Sequence, residues 1–556
     1  MTARLTTALA ALVLFGGCSR QPETTSAPPT TPLYDNLGRL QHTITTSSPE
    51  AQRYFNQGLT LSYAFNHAEA IRSFRQAASI DPDCAMCYWG VAYALGPNIN
   101  APITPEAAKE AFAAIEQARQ RASKASAREQ AYIAALSKRY TSDPAAERPP
   151  LDAAYADAMR EVVKQFPDDL DAATLLAQSL MDTSPWNYWN ADGSPRPLTN
   201  EVISSLESVL ERSPDHIGAI HLYIHAVEAS PDPKRAEPYA DRLAALVPGA
   251  GHLVHMPGHI YLRTGRYHDA SVANENAMKV DEAYLAGNRA PGNMMYEVGY
   301  VPHNPHFFVT SASMEGRSAD ALRAAEEVKA KMHNDMLRDP SMGTMVQHFQ
   351  LTPLFVKVRF ARWDEVLAEP APPDDLPYMR AMWHTARTIA HAAKGQFTEA
   401  EMNRAALAKV KDDASLKTAY VSPINTAAAI AAIGYEVASG ELRAAQKRSG
   451  EAAKHFATAV SLEDGLTYTE PPDWPIPVRQ LQGAALLALG RAAEAEKAFR
   501  EDLTKFPNNG WALSGLRASL ERQGRGREGE AIALGAQLNE AWRRADVQLT
   551  SARPVR

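Results

Sequence analysis

The chain is 556 residues long, with 45% hydrophobic, 22% charged and 8% aromatic residues. This composition is ordinary for a globular protein and excludes wholesale disorder or a collagen-like fibre. The length predicts three or four compact domains or one elongated array, at about 150 residues per domain. The net charge is −7, from 57 basic and 64 acidic residues, and the sequence contains no basic block. Because proteins that bind a nucleic-acid backbone normally carry a basic stripe, nucleic acid is not an expected partner.

The first residues have the pattern of an export signal. Arg4 precedes the apolar stretch Leu5–Phe15, which has the length of a signal-peptide core and is too short to span a bilayer. The stretch leads into the sequence LFGGC, which ends at Cys18 and resembles the lipobox of bacterial lipoproteins. The resemblance implies that Cys18 receives a lipid that anchors the protein in the cell envelope or periplasm. An ordinary cleaved secretion signal is the alternative.

Two further cysteines, Cys84 and Cys87, lie three residues apart. In an oxidising compartment such a pair can form a disulfide. A thiol at the start of a helix can also have a lowered pKa and redox activity. No βαβ pattern surrounds the pair, so a thioredoxin-like motif lacks its structural context here. The sequence leaves three alternatives: a structural disulfide, two free buried thiols, or a redox or metal-binding role.

A short phrase recurs between pairs of helical patterns. It has the form Gly-Arg-x-x-x-Ala, or a close relative, at residues 265–270, 316–321, 395–400 and 490–495. Glycine suits a tight turn, and a small alanine lets two helices approach closely. Such helix pairs resemble tetratricopeptide repeats, which are 34 residues long and end near a proline. The resemblance implies an all-α fold, a tetratricopeptide-like α-solenoid of helix-turn-helix repeats with long loop insertions, whose concave groove binds a peptide or protein.

The repeat pattern is regular in some parts of the chain and degenerate in others. It is clearest in a first unit, Ala51–Cys84, and from Gly483 to Pro507. Units at Ile217–Ala250, Gly251–Tyr284 and Pro302–Asp335 follow the same register, whereas those at 347–380 and 381–414 are degenerate. The predicted organisation is a signal peptide (1–17), a Ser/Thr/Pro tether (18–33), N-terminal repeats (34–100), a helical segment with degenerate repeats and an aromatic loop (101–216), His-rich repeats (217–335), degenerate helical repeats (336–470) and C-terminal repeats (471–556).

Three long irregular segments interrupt the helical pattern. They are Asp182–Thr199, Leu285–Val301 and Gly465–Pro477. Their aromatic residues include Trp186, Tyr188, Trp189, Tyr296, Tyr300, Tyr468 and Trp474. Long loops within a compact array often serve as lids or binding loops. The alternative is that these aromatic side chains only pack against the helices.

Histidines are concentrated in the middle of the chain. At the average frequency, 90 residues would hold two or three histidines, yet residues 217–306 hold eight. Seven of them follow helical spacing: His221 and His225 (with Glu228), then His252, His255 and His259, then His303 and His306. When the three repeats are aligned by their turns, all seven lie at the second, fifth or ninth position of a unit. In the tetratricopeptide family these positions face the concave groove, so the resemblance implies one shared surface.

A surface rich in histidine predicts metal binding. Neutral imidazole is the commonest protein metal ligand, and a carboxylate completes many sites. Helices packed about 8–10 Å apart allow imidazoles on neighbouring helices to reach one ion. We therefore expect the seven histidines and Glu228 to hold at least one divalent transition metal, Zn, Cu, Fe or Ni. Pro257 should break or kink its helix and so redirect His255 relative to His259.

Other functions remain compatible with these residues. A groove lined by histidines can bind a small molecule or an acidic peptide without metal, or the histidines can be incidental to packing. No nucleophile elbow, phosphate loop, dinucleotide fingerprint or zinc-protease motif is present, so we assign no catalytic residue and leave enzymatic activity open. The two classes of function are an exported metalloprotein, with or without a small substrate, and a metal-free scaffold for a peptide or protein partner in the cell envelope.

Overall fold

The computed structural model describes residues 31–143, 145–287, 289, 293–422, 424–524 and 526–553. Within these residues the regular structure is helical and contains no strand, only isolated bridges. The predicted all-α fold is therefore confirmed. Among the described helices, none combines the length and the apolar character that crossing a membrane requires. The predicted signal peptide, most of the tether and Cys18 lie outside the described residues.

Most helices pack against the next helix along the chain. The first eight are α1 Pro49–Tyr63, α2 His67–Ile80, α3 Ala85–Ala94, α4 Pro105–Arg121, α5 Ala127–Leu136, α6 Arg148–Gln165, α7 Leu170–Asp182 and α8 Thr199–Arg212. The histidine-rich part holds α9 Ile217–Val227, α10 Glu237–Leu246, α11 Gly251–His255, α12 Pro257–Thr264, α13 Tyr267–Ala286, α14 Val301–Met314 and α15 Ser318–Lys331. The last part holds α16 Gly343–Gln350, α17 Thr352–Arg359, α18 Trp363–Ala368, α19 Pro377–Ala393, α20 Phe397–Val410, α21 Ala427–Ala445, α22 Ser449–Asp464, α23 Val478–Ala488, α24 Ala492–Lys505, α25 Gly510–Gln523 and α26 Glu528–Ala541.

The recurring glycines form the turns inside the helix pairs. Gly265, Gly316, Gly395 and Gly490 all have left-handed backbone conformation, with φ between 72° and 76°. Side-chain-bearing residues are strained there and glycine is not, which explains why the phrase begins with glycine. The equivalent turn between α1 and α2 is an exception, because Phe65 occupies it at a φ of 55°.

Aromatic side chains of the second helices pack onto glycines of the first helices. Phe74 on α2 is fully buried against Gly58 and Gly90 on the two neighbouring helices, and a Cβ at either glycine would lie within 3.0 Å of its ring. Phe499 on α24 repeats this arrangement farther along the chain. The small residues let the helices approach closely, and each ring is shared between successive repeats. This packing is the stabilising contact of the array.

Cys84 and Cys87 are joined by a disulfide in the first turn of α3. Both residues are buried, and the backbone N–H of Cys87 donates to the sulfur of Cys84, which caps the helix. Of the three alternatives left by the sequence, the structure therefore contains the disulfide. A cysteine pair closed in this way offers neither a free thiol nor a metal ligand.

The N-terminal repeat folds back onto the middle of the chain. The side-chain amide of Asn293 donates to Asn66 Oδ1 at 2.7 Å, and that of Asn100 donates to the hydroxyl of Tyr300 at 3.0 Å. These partners are about 200 residues apart in sequence. In an open solenoid each repeat contacts only its neighbours, so the first repeats cover the histidine-rich repeats from one side.

The C-terminal repeats cover the middle from another side. The indole N–H of Trp511 donates to the carbonyl of Ser313 at 2.9 Å, and the backbone N–H of Ser318 donates to Asp546 at 2.8 Å. Gly265 lies against the backbone carbonyl of Pro507, where a Cβ would be only 2.5 Å away. The described part of the chain thus forms a tetratricopeptide-like solenoid that closes around its own histidine-rich centre.

Candidate metal centre

Side chains from four helices converge at this centre. His221 and His225 come from α9, His252 and His255 from α11, His259 from α12 and His303 from α14. His303 is partly buried and the other five are buried. The groove that the resemblance implied is not open to solvent here, because the two ends of the array close over it. The convergent imidazoles form two groups, named here triad A (His221, His225, His252) and triad B (His255, His259, His303).

Triad A has its ligand nitrogens within 4.8 Å of one another. The Nδ1–H of His221 donates to the carbonyl of Tyr63 at 2.6 Å, because a carbonyl can only accept. Its Nε2 therefore carries a lone pair, which faces His252 Nε2 at 3.1 Å. The Nδ1–H of His225 donates to Glu228 Oε1 at 2.8 Å. The Nε2 of His225 is buried and has no partner among the described residues.

Triad B also has its ligand nitrogens within 4.8 Å of one another. The amide of Asn274 donates to the carbonyl of Ala270 at 2.7 Å, so its oxygen is the atom that faces His255 Nδ1 at 2.7 Å. His255 Nδ1 must then carry a hydrogen. His259 Nδ1 also carries one, since it faces the carboxylate of Glu228 at 2.5 Å. The two remaining Nε2 atoms lie 2.9 Å apart. The Nε2 of a neutral ring carries only a lone pair, so one of the two must hold a proton or both must share a cation.

Glu228 links the two triads. It is fully buried, and its two oxygens accept from His225 in triad A and His259 in triad B. A carboxylate that binds the outer nitrogen of a histidine fixes the ring and its tautomer and makes the inner nitrogen a better ligand. His225, Glu228 and His259 also each offer a ligand atom within 4.8 Å of the others. Because they are already hydrogen-bonded, the geometry favours a supporting role for Glu228 over the direct ligation that we expected.

Burial and charge keep most of these rings neutral. Burial, together with the neighbouring imidazoles, holds the pKa values of His221, His252, His255 and His303 well below the ordinary value. His259 is different: burial lowers its pKa, but the charge of Glu228 raises it to about 9. Burial tends to raise the pKa of Glu228, yet the charge of His259 and the two histidine hydrogen bonds hold it below its usual range. The neutral rings of His221, His252, His255 and His303 are in the state that metal binding requires, whereas a metal ion at triad B would displace the proton of His259.

Pro257 separates the histidines of triad B. The helix is interrupted at this point, with α11 ending at His255 and α12 beginning at Pro257. Proline cannot donate the backbone hydrogen bond of a continuous helix. The break that the sequence predicts is thus present, and it lies between the two rings whose Nε2 atoms face each other.

His306 does not join either triad. Its ring lies 6.1 Å from that of His348 and 5.1 Å from that of Phe349. It is buried, and its Nδ1 has no partner in the part of the chain that the structure describes. The expectation that His306 shares the site is therefore wrong. Its repeat position matches that of His255, but α16 lies on this side of α14 and the ring packs against it.

Aromatic side chains enclose triad A. The ring of Phe65 lies 4.4 Å from that of His221 and stacks on His252 at 5.5 Å. Two of the loop insertions contribute as well: Trp186 contacts His225 edge-on at 5.1 Å, and Tyr300 lies 4.7 Å from His252. These aromatic residues therefore line the candidate site as well as packing against helices.

The third insertion contributes a carboxylate that sequence reasoning missed. The side chain of Glu470 is buried, and its Oε2 lies 3.2 Å from His259 Nδ1. Burial and the charge of Glu228 raise its pKa to about 7. Nothing in the local sequence distinguishes Glu470 from other loop carboxylates. Phe65 could have been recognised from the sequence, because it stands where the other repeats have the turn glycine. Asn274 and Tyr63 could not, because no local pattern shows their contacts with the histidines.

A second polar cluster supports triad A from behind. His42 Nδ1 lies 2.7 Å from Asp171, His216 Nε2 lies 3.2 Å from the same carboxylate, and the hydroxyl of Tyr63 donates to it at 2.7 Å. With Asp169, this group has its ligand atoms close together. Its polar atoms are largely committed to hydrogen bonds, and the backbone of Tyr63 receives His221. We therefore regard it as structural.

Comparison with known proteins gives one family match. Residues 51–84 match the family model described as tetratricopeptide repeat. No curated protein matches the chain.

Three solved structures illustrate the likeness to known folds. The human IFIT1 dimer with m7Gppp-AAAA shares 11% identity at a TM-score of 0.30, over 89% of this chain and 91% of that chain. The APC/C hetero-tetramer Cut9-Hcn1 shares 13% at 0.30, over 89% and 76%, and yeast Tom70 shares 14% at 0.26, over 89% and 93%. At such low TM-scores these likenesses carry no argument about this chain. The family match and the helix pairs described above together show that the chain contains a tetratricopeptide repeat at residues 51–84 within an all-α, tetratricopeptide-like solenoid.

Proposed function

We propose that the protein binds divalent transition metal ions at triads A and B. The observation that carries this proposal is the pair of Nε2 atoms of His255 and His259, 2.9 Å apart, whose Nδ1 atoms are both committed as donors. Two lone pairs at this distance repel each other unless a cation lies between them. That cation is either a proton or a metal ion.

Triad A favours a metal ion over a proton. His221 and His252 present Nε2 atoms at 3.1 Å, and the buried Nε2 of His225 has no partner among the described residues. A buried polar atom without a partner costs about 1–3 kcal/mol. A proton can join two nitrogens, whereas a metal ion can take all three. Nitrogens bound tetrahedrally at about 2.0–2.1 Å are a little over 3 Å apart, which is close to the 3.1 Å between the Nε2 atoms of His221 and His252.

The chemistry of such a centre follows from its ligands. Three imidazoles per ion leave one coordination position for water or a small ligand, as in catalytic zinc sites. Imidazole suits Zn, Cu, Fe and Ni. Glu228 would hold one ring of each triad in its ligating tautomer, and it would couple the two ions through a single carboxylate.

Titration of the metal-free protein with Co²⁺ tests this proposal. Tetrahedral Co²⁺ bound by imidazole gives visible absorption bands, so we expect these bands to saturate at about two ions per chain for two three-ligand sites. His255→Ala should reduce the signal to about one ion, because triad A remains. His306→Ala is the matched control, since His306 has the same repeat position but faces His348. Absence of bands in the wild type, or equal loss in both variants, would contradict the proposal.

We further propose that the protein is exported and anchored by lipid at Cys18 in the cell envelope. The sequence from Arg4 to Cys18 supports export, and the buried Cys84–Cys87 disulfide is typical of oxidising compartments. Cys18→Ala should release the protein from the membrane fraction while the signal is still processed. Unchanged membrane association of that variant would rule out the anchor.

A metal-free scaffold is the alternative function. Tetratricopeptide arrays commonly present a surface to a peptide or protein partner, and the repeat at residues 51–84 supports this class. If the centre binds no metal, we expect a partner to bind elsewhere on the array, because His221, His252 and His255 are buried and do not change charge between about pH 5 and 8. Pull-down from cell-envelope extract should then recover the same partner with wild type and with His255→Ala, whereas loss of the partner in the variant would contradict this alternative.

A further inference from the structure

Arg359 is a buried arginine without the partners that such a residue needs. It is the last residue of α17 and only 3% exposed. Its guanidinium carbon lies 4.0 Å from the centre of the Trp511 ring. Neither of its terminal nitrogens, Nη1 and Nη2, has a hydrogen-bond partner within the described part of the chain. These two nitrogens are therefore left without acceptors, and the guanidinium packs on the indole face.

Arg139 shows how the same fold accommodates a buried arginine for structural purposes. It is 1% exposed, and its guanidinium donates to Asp152 at 2.9 Å and to Asp182 at 2.8 Å. Buried charges are normally paired in this way, because the desolvation of an unpaired ion costs several kcal/mol. Arg359 departs from this rule, and its planar fork is the group that best recognises a carboxylate.

Asp502 is a second buried side chain that has an atom without a hydrogen-bond partner. Its Oδ2 accepts from Gln480 and Asn509, both at 3.0 Å, whereas its Oδ1 has no donor among the described residues. Both groups contact the start of α25, where Asn509 donates to Asp502 and Trp511 packs on Arg359. Burial lowers the pKa of Arg359 to about 9, and the charge of Asp502 opposes that shift. The interior thus holds an unsatisfied cation and an unsatisfied carboxylate oxygen.

We propose that Arg359 anchors a buried binding site for a small carboxylate-bearing molecule that also carries a hydrogen-bond donor, as amino acids and hydroxy acids do. The carboxylate of the ligand binds the fork of Arg359, and the donor satisfies Oδ1 of Asp502. A doubly charged phosphate fits less well, because the carboxylate of Asp502 would repel its second negative charge. Trp511 holds the guanidinium plane in place from its other side. This site does not depend on metal binding by the triads.

Thermal unfolding of the full chain with simple probes tests this proposal. We expect glycine to raise the Tm of the wild type most, acetate to raise it less, and methylammonium chloride at equal ionic strength to leave it unchanged. Arg359→Met, which keeps the volume but removes the fork, should abolish the glycine effect. Arg359→Lys keeps the charge and should weaken glycine binding about tenfold or more.

The matched control is Arg387→Met. Arg387 also stacks on an indole, that of Trp383 at 4.6 Å, but its Nη1 donates to the carbonyl of Leu367 at 2.8 Å. This variant should respond to glycine as the wild type does. The proposal is overturned if neither glycine nor acetate raises the wild-type Tm, if Arg359→Met responds equally, or if inorganic phosphate has the largest effect that depends on Arg359. If Arg359→Met does not fold, an unchanged glycine response in Arg359→Lys overturns it.

Discussion

The Nε2 nitrogens of His255 and His259 face each other at 2.9 Å across the helix break at Pro257. Each ring is held from behind by an acceptor, Asn274 for His255 and Glu228 for His259. Both rings are buried, so water does not screen the two lone pairs. The two nitrogens that the sequence pattern brings together therefore need a cation between them, either a proton or a metal ion.

Replacement of the linking carboxylate should weaken metal binding without disrupting the fold. In Glu228→Gln, one end of the side chain still accepts from a histidine, but the other end carries an amide that donates. One of His225 and His259 must then move its hydrogen to Nε2, and that nitrogen can no longer bind metal. We expect metal affinity to fall by about 10–100-fold, measured by competition with a chromogenic chelator.

Glu436→Gln is the control for this change. Glu436 accepts from His455 Nδ1 at 2.7 Å, in a partly exposed His–Glu pair outside the triads. Its replacement should leave metal affinity unchanged. Equal effects of the two substitutions would show that Glu228 does not act through the tautomers of the two rings.

Phe65 should control how fast metal leaves triad A. In Phe65→Gly the strained backbone at φ 55° is relieved, but the ring that covers His221 and His252 is lost. Because loss of a buried phenylalanine costs about 3–5 kcal/mol and the relief returns only about 1–2, the variant should be less stable. We also expect faster release of metal to a chelator, followed by stopped-flow absorbance.

Lys447→Gly tests the backbone part of that argument. Lys447 occupies the equivalent turn between α21 and α22 at φ 61°. Its replacement should change stability by no more than about 1 kcal/mol and leave metal release unaffected. If Lys447→Gly accelerates release as much as Phe65→Gly, the ring of Phe65 is not the barrier.

Alanine substitutions at two turn glycines distinguish the cost of local backbone strain from the cost of opening the array. Gly265 and Gly490 have nearly the same φ, 76° and 75°. A Cβ at Gly490 meets nothing within 4 Å, whereas one at Gly265 would lie 2.5 Å from the carbonyl oxygen of Pro507. Alanine at Gly490 should cost only the strain of about 1–2 kcal/mol. Alanine at Gly265 should also displace the C-terminal repeats, giving a larger fall in Tm and a larger radius in small-angle X-ray scattering; equal effects would contradict the closed arrangement.

Asp281 should make the stability of the protein depend on pH. Burial raises its pKa from 3.8 to about 7, against the opposing hydrogen bonds from Tyr296 and Asn304. The folded state therefore holds a proton that the unfolded state has already lost. The resulting stability is fully present below about pH 4 and is lost as the pH rises through about 7.

Asp281→Asn removes this titration while keeping the shape of the side chain. The free energy of unfolding of the variant, relative to wild type, should rise between pH 4 and pH 8 by an amount on the order of 2–4 kcal/mol. Denaturant unfolding at both pH values measures this difference. A constant difference between the two proteins would show that Asp281 does not titrate in this range.

Local sequence was enough to predict the helix pairs and much of the candidate site. The turn phrase requires a residue with positive φ, and Gly265, Gly316, Gly395 and Gly490 all have it. The register that places His221, His225, His252, His255, His259 and His303 on one side of successive first helices depends on a 34-residue period, which is visible in the sequence. These features are set by contacts between neighbours in the chain.

Closure of the array was not predictable in the same way. The contacts of Trp511 with Ser313 and of Glu470 with His259 join residues about 200 apart. They depend on the summed small rotations of many repeats, which no local motif encodes. The position of the His306 ring was mispredicted because it too depends on a neighbouring helix. Its repeat position is correct, but α16 determines where the ring packs.

The metal content of the purified protein tests the central claim most directly. We would express the chain without a polyhistidine tag, incubate it separately with Zn²⁺, Cu²⁺, Fe²⁺ and Ni²⁺, remove unbound ion and measure bound metal by plasma mass spectrometry. Our account predicts up to about two ions per chain for at least one metal, about one in His255→Ala, and the wild-type value in His306→Ala and His455→Ala. Wild-type protein that retains no metal under any of these conditions would contradict the account.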